Sequence, residues 1–163
     1  MLKKFQVENY KGFKGILFWD LSQTKDYAYY KDLVSDRIVK KELIFGKNGS
    51  GKSSLCTAVM DITGHLLDVE KDNVPQYIYT HVGNDKEYAV FTYVFQFGKN
   101  EVTYTYAKTS LTNLLLEAVT VNGKEIIVHN FVNEKNNFIK LKGAETLRTR
   151  GFLQVIYYKI YLQ

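Results

Sequence analysis

Between residues 4 and 9 apolar and polar side chains alternate, Phe5 and Val7 against Lys4, Gln6 and Glu8, which is the period of a strand with one face buried. A turn follows at Tyr10-Lys11-Gly12, and Ile16 to Leu21 read as a second strand. The polar, Tyr-rich stretch from Ser22 to Asp36 predicts a connection that carries a short helix. After the charged Lys40-Lys41-Glu42, the apolar Leu43-Ile44-Phe45 predict a third strand that ends directly on Gly46. From Ser53 to about Leu67 the period changes. Leu55, Val59, Ile62 and Leu66 are spaced by four, three and four, which describes one face of a helix. Met60 and Leu67 add a second apolar stripe, so the helix is expected to lie between two layers of structure. It is expected to end near Asp68 to Asp72, before the single Pro75.

Residues 88–97 alternate again, with Ala89, Phe91, Tyr93, Phe95 and Phe97 on one face, and Gly98-Lys99-Asn100 turns the chain into Val102 to Tyr106. Leu115 to Val121 and Glu125 to His129 flank Asn122-Gly123, the dipeptide that best tolerates the positive φ of a tight hairpin turn. The middle of the chain therefore reads as an antiparallel meander. Past Phe138 the pattern weakens, and the sequence reaches Gln163 just after the apolar run Phe152 to Tyr158, which reads as a piece of a longer protein. One domain over 1–163 is expected, with strands, loop and helix at 1–72, a β-subdomain at 86–130 and an incomplete segment at 138–163.

Composition supports an ordered, strand-rich fold: 45% of residues are hydrophobic, with 13 Tyr and 10 Phe against one Pro. The net charge of +5 is lopsided, because residues 1–60 hold 11 Lys and Arg against 6 Asp and Glu, while the remainder holds 11 of each. Such a bias suits a polyanionic ligand, nucleotide or nucleic acid. The single cysteine, Cys56, excludes an internal disulfide and a cysteine zinc site, and on the helix it reads as a small core residue. No stretch approaches the ~20 apolar residues of a membrane helix. Together these features lead us to expect a cytoplasmic protein with no membrane partner.

Gly46-Lys47-Asn48-Gly49-Ser50-Gly51-Lys52-Ser53 matches G-x-x-x-x-G-K-[S/T]. Chemistry at phosphate needs these residue types at this spacing. Glycines let the backbone curl until successive N–H groups face phosphate oxygens, and the helix that follows adds its N-terminal dipole. Lys52 supplies a mobile charge for the β- and γ-phosphates, Ser53 a hydroxyl for Mg²⁺, and Ser54 a further donor for the α-phosphate. The predicted context, strand then loop then helix, is what the motif requires. ATP with Mg²⁺ is the expected ligand, Lys52 the catalytic residue and Ser53 the metal-binding one.

Two stretches, Phe5 to Lys14 with Asn9-Tyr10-Lys11-Gly12-Phe13 at its centre and Ile44 to Ser54 with the loop, resemble the N-terminal lobe of SMC/RecF-like ABC-type ATPases. The resemblance is nearest to bacterial AAA family ATPases of the overcoming-lysogenization-defect and abortive-infection type. It covers the first 60 residues, and the hairpins at 88–129 look like the β-subdomain of the same group. It implies an α/β fold of mixed character, a P-loop NTPase lobe with a mixed β-sheet around the P-loop helix plus an antiparallel meander. It also implies that Lys11 approaches the nucleotide, that the full-length protein works as a head-to-tail homodimer, and that DNA or a defence-linked nuclease is its partner. The glutamine loop, signature segment, Asp-Glu strand end and switch histidine of that group are not identifiable here. Hydrolysis would therefore require a missing C-terminal half.

Other readings remain. Leu114 to Glu117 and Leu66-Leu67-Asp68 superficially match an acidic strand end, but the first lies in the meander and the second ends the loop's own helix, and Gln96, a tempting glutamine-loop residue, alternates with Phe95 and Phe97 inside a strand; all three read as structural. His65, His81 and His129 have no spacing of a metal or catalytic set. Asp61-Ile62-Thr63-Gly64 matches the D-x-x-G of GTPases, and the loop also occurs in small-molecule kinases. A truncated, non-catalytic fragment is the remaining alternative.

Overall fold

The computed structural model describes residues 1–25, 31–67 and 79–141. Within them the chain forms β1 (Leu2–Tyr10), β2 (Phe13–Asp20), a two-stranded ribbon of β3 (Val34–Ser35) and β4 (Ile38–Val39), the helix α1 (Lys52–Leu66), then β5 (Ala89–Phe97), β6 (Asn100–Lys108), β7 (Leu114–Val121), β8 (Lys124–Asn130) and β9 (Phe138–Ile139). Single 3-10 turns occupy Lys31–Leu33 and Glu134–Asn136. One seven-stranded sheet runs β2-β1-β5-β6-β7-β8-β9, and every neighbouring pair is antiparallel.

The expected mixed α/β sheet is therefore wrong. A P-loop NTPase lobe needs a strand leading into the loop and pairing beside it, and residues 43–45 supply none: they are exposed and outside both sheets. Three apolar residues before a glycine satisfy the local pattern, but strand pairing is decided by distant partners, and this segment has none among the described residues. The antiparallel hairpins follow the alternation closely. The Asn122-Gly123 turn joins β7 to β8 with φ of 49° and 77°, and cross-strand pairs such as Phe91 with Tyr106 and Tyr93 with Tyr104 set the register.

The core lies between one sheet face and α1. Phe5, Val7, Phe91, Tyr93, Tyr104, Tyr106, Val119 and Ile127 all point into it. Leu55, Val59, Ile62 and Leu66 pack against this cluster, yet the most buried line of the helix is Ala58, Asp61 and His65. At ~100° per residue that is about a quarter turn from the apolar stripe. The reason is polar. Asp61 accepts hydrogen bonds from the Tyr79 hydroxyl (2.9 Å) and the Tyr106 hydroxyl (2.7 Å), and pairs with Lys108 Nζ at 2.9 Å. His65 Nε2 lies 2.7 Å from the Tyr104 hydroxyl and 3.2 Å from Glu117 Oε1, and Tyr104 donates to that same carboxylate. Tyr93 donates to the Ala58 carbonyl at 2.7 Å.

The second apolar stripe is not covered as expected, since Met60 and Leu67 are exposed. Cys56 is also exposed, so the core reading of it is corrected. The expected helix end at 68–72, Pro75, Asp68 and residues 142–163 lie outside the described residues. No helix among the described residues is long and apolar enough to cross a membrane.

Candidate phosphate-binding site

Past β4 the chain runs without regular structure through residues 41–47, turns at Asn48 to Ser50 and enters α1 at Lys52. The Ser50 amide donates to the Lys47 carbonyl at 3.2 Å and closes the turn. Gly49 and Gly51 take φ of 81° and 91°, so the loop uses the left-handed region at two of its three glycines. Gly51 is the N-cap of α1 and offers no side chain to it, and the first helical turn carries no acid. The amides of Lys52, Ser53 and Ser54 thus belong to a helix end whose donors lack intrahelical partners.

Lys52 folds back over the loop, where its Nζ donates to the carbonyls of Gly46 (2.7 Å) and Lys47 (2.8 Å). This holds the ammonium at the mouth of the curl while leaving it exposed. Lys47, Asn48, Gly49, Ser50 and Ser53 are all exposed. At Gly46 a methyl group would meet Ser50 Oγ at 2.7 Å, so a side chain there would make the Ser50 hydroxyl rotate away.

The β1–β2 turn seats the loop. Asn9, fully buried with φ of 55°, donates to the Lys86 and Tyr88 carbonyls at 2.7 and 2.8 Å and accepts from the His81 amide, which ties residues 81–88 to β1. Tyr10 and Lys11 both reach Thr57 Oγ1 on α1 at 3.3 Å, and Thr57 donates to the Ser54 carbonyl at 3.0 Å. The Phe13 ring edge lies against Gly51, where an added Cβ would come within 3.2 Å of it. Lys11 therefore reaches the loop's helix one turn past Ser53. Phe13 and Thr57 were not singled out as site residues by the sequence; Phe13 was visible only as the last member of the Asn9 to Phe13 motif, and Thr57 carries no signal.

The remaining candidates separate from the loop. Asp61 lies nine residues beyond Lys52, about 13 Å along the helix, and is buried on Lys108, so the D-x-x-G match is a structural aspartate. Glu117 meets α1 at His65, about 20 Å from Lys52. Gln96 bridges the β5–β6 turn by donating to the carbonyls of Gly98 and Asn100. His129 packs at a tilt against Phe131, and among the described residues His81 Nδ1 is buried without a hydrogen-bond partner and no cluster of metal-ligating side chains occurs.

Gly51→Ala is expected to destabilise the loop by about 1–2 kcal/mol, the cost of a left-handed L-residue, with displacement of Phe13 added. Urea titration of the variant checks this, and an unchanged midpoint would show that the loop tolerates another geometry. Comparison with protein families and with curated proteins finds no match to this chain.

Proposed function

We propose that the chain binds a nucleoside triphosphate with Mg²⁺, ATP first among them, through Gly46 to Ser54. The observation that carries this reading is the pairing of a doubly left-handed glycine loop with an uncapped helix N-terminus, over which Lys52 is already folded. Backbone amides and the helix dipole favour an anion at such a point. Lys52 would move from two loop carbonyls to the β- and γ-phosphates, and Ser53, whose hydroxyl is exposed, would take a place on Mg²⁺. Lys47, Asn48, Gly49, Ser50 and Gly51 would contribute backbone donors, Ser54 a donor to the α-phosphate, and Lys11 a second cation from the β1–β2 turn. The seating of the loop on Asn9 to Phe13 supports the resemblance to the SMC/RecF-like ATPases, now without the mixed sheet. Hydrolysis, a head-to-tail homodimer and a DNA or nuclease partner would belong to a longer protein.

The test is calorimetric titration of the chain with ATP in the presence and absence of Mg²⁺. Binding strengthened by Mg²⁺ and reduced at least tenfold in Lys52→Ala, a loss of about 1.4 kcal/mol or more, is the expected result. Absence of binding, or equal binding by the variant, would sink the reading. GTP as the preferred ligand would move it to another P-loop class.

A further inference from the structure

The sequence holds two Asn-Gly pairs, Asn48-Gly49 in the phosphate loop and Asn122-Gly123 in the β7–β8 turn. Asparagine is chemically labile in water, most of all before glycine, where no side chain obstructs attack of the next backbone nitrogen on the carboxamide carbon. That attack needs a carboxamide free to turn and a glycine amide free of other bonds. The two pairs differ in this respect. Asn122 is held: its Oδ1 accepts from the Glu101 amide at 2.8 Å, its Nδ2 donates to Asn100 Oδ1 at 2.9 Å, and its own amide donates to the Glu101 carbonyl at 2.8 Å. Asn48 is exposed, and among the described residues neither its carboxamide nor the Gly49 amide makes a hydrogen bond. The turn is closed around them, by the Ser50 amide on the Lys47 carbonyl. Cations border the pair. Lys47 precedes it, and Lys52 Nζ donates to the Lys47 carbonyl at 2.8 Å. Positive charge there favours the anionic nitrogen and oxyanion through which the attack passes.

We propose that Asn48 is a deamidation site and that its reaction silences the phosphate loop. The Gly49 nitrogen gives its proton to hydroxide and bonds to Cγ of Asn48. The Cγ–Nδ2 bond then breaks, and the nitrogen leaves as ammonia after taking a proton from water. Water adds to either carbonyl of the resulting cyclic imide and opens it to aspartate or to isoaspartate; nothing is oxidised or reduced. Both products put a carboxylate where a neutral amide stood, and isoaspartate also lengthens the main chain of the loop by a methylene. A negative charge at this point repels a triphosphate and competes with it for Lys47 and Lys52. The silencing rests on the phosphate-loop reading above, whereas the modification does not.

The full chain is incubated in mildly alkaline buffer without nucleotide and sampled over time. Peptide mass spectra should show conversion of amide to acid at Asn48 at least about tenfold faster than at Asn122, where two side-chain hydrogen bonds must break first. Ion exchange separates the chains that have gained a negative charge. That fraction should bind Mg-ATP at least about tenfold more weakly than the intact fraction of the same sample. Asn48→Gln, whose longer carboxamide closes the ring far more slowly, should keep its own starting affinity throughout the incubation. No conversion at Asn48, or equal rates at the two pairs, overturns the modification, and equal affinity of the two fractions overturns the silencing. A freshly purified chain that binds no Mg-ATP sinks the phosphate-loop reading and the silencing with it, while the mass spectra decide the modification independently.

Discussion

Asp61→Ala is expected to lower the unfolding free energy by about 3–5 kcal/mol, the range found when one partner of a buried ion pair is removed. The two side chains concerned are only 5% and 2% exposed, and their charged atoms are 2.9 Å apart. The same carboxylate also accepts the hydroxyls of Tyr79 and Tyr106, so its loss removes an acceptor from two more buried groups. Lys108 would remain in the interior beside the Tyr106 ring, 4.9 Å from its centroid, without this carboxylate. For a domain whose whole stability is of the order of 5–15 kcal/mol, that is a large share. Asp61→Asn keeps an acceptor oxygen and should fall between the unaltered chain and the alanine variant. The double variant Asp61→Leu with Lys108→Met should recover only the part of the loss that comes from the stranded charge, because the Tyr79 and Tyr106 hydroxyls still lack their acceptor. Urea unfolding followed by circular dichroism measures all three. If Asp61→Ala cost no more than the ~0.5 kcal/mol of an ordinary surface substitution, α1 would not be held in the way described.

These same residues mark where the sequence was legible and where it was not. Strand alternation located β1, β5, β6, β7 and β8, because an antiparallel sheet with one buried face writes its period of two directly into the chain. The loop and the start of α1 were also readable, since glycine conformation and helix periodicity are local properties. Strand pairing is not local. Leu43 to Phe45 carry the composition of a buried strand, and nothing within the segment says that its neighbours are absent from the described fold. The seating of α1 was misjudged for a related reason: hydrophobic periodicity ranks side chains by apolarity, so it pointed to Leu55, Val59, Ile62 and Leu66 and passed over Asp61 and His65. A signal did exist on the partner strands. Lys108 continues the inward positions of Tyr104 and Tyr106, and Glu117 precedes inward Val119 by two, so the alternation places charged groups on a buried face. Charged residues at core positions demand polar partners, and α1 supplies them in Asp61 for Lys108 and His65 for Glu117.

Above about pH 10 the fold is expected to lose stability steeply, because four tyrosines keep their protons in the folded state beyond the range in which an unfolded chain gives them up. Burial is the largest cause at Tyr79, Tyr93, Tyr104 and Tyr106, and it pushes each hydroxyl upward. The Asp61 carboxylate raises Tyr79 further, and Glu117 does the same for Tyr104. The sign follows from proton counting. Between the unfolded value and the raised folded value the unfolded chain binds fewer protons, so unfolding is drawn forward as pH rises; below the unfolded value this stability is fully present. Each tyrosine contributes a slope of up to about 1.4 kcal/mol per pH unit, and four together up to about 5 kcal/mol per unit. Urea midpoints should therefore hold nearly level from pH 7 to 9 and fall sharply between about pH 10 and 11. Tyrosinate absorbance should show the exposed tyrosines ionising first and the buried four only as circular dichroism is lost. Tyr93→Phe should flatten the slope by about one proton's worth, a change that mere loss of its 2.7 Å hydrogen bond to the Ala58 carbonyl would not produce. Reversible ionisation of every tyrosine with the fold intact would show that the hydroxyl cluster beneath α1 is open to water, and with it the clamp on Asp61 and His65 that holds the helix of the phosphate loop to the sheet.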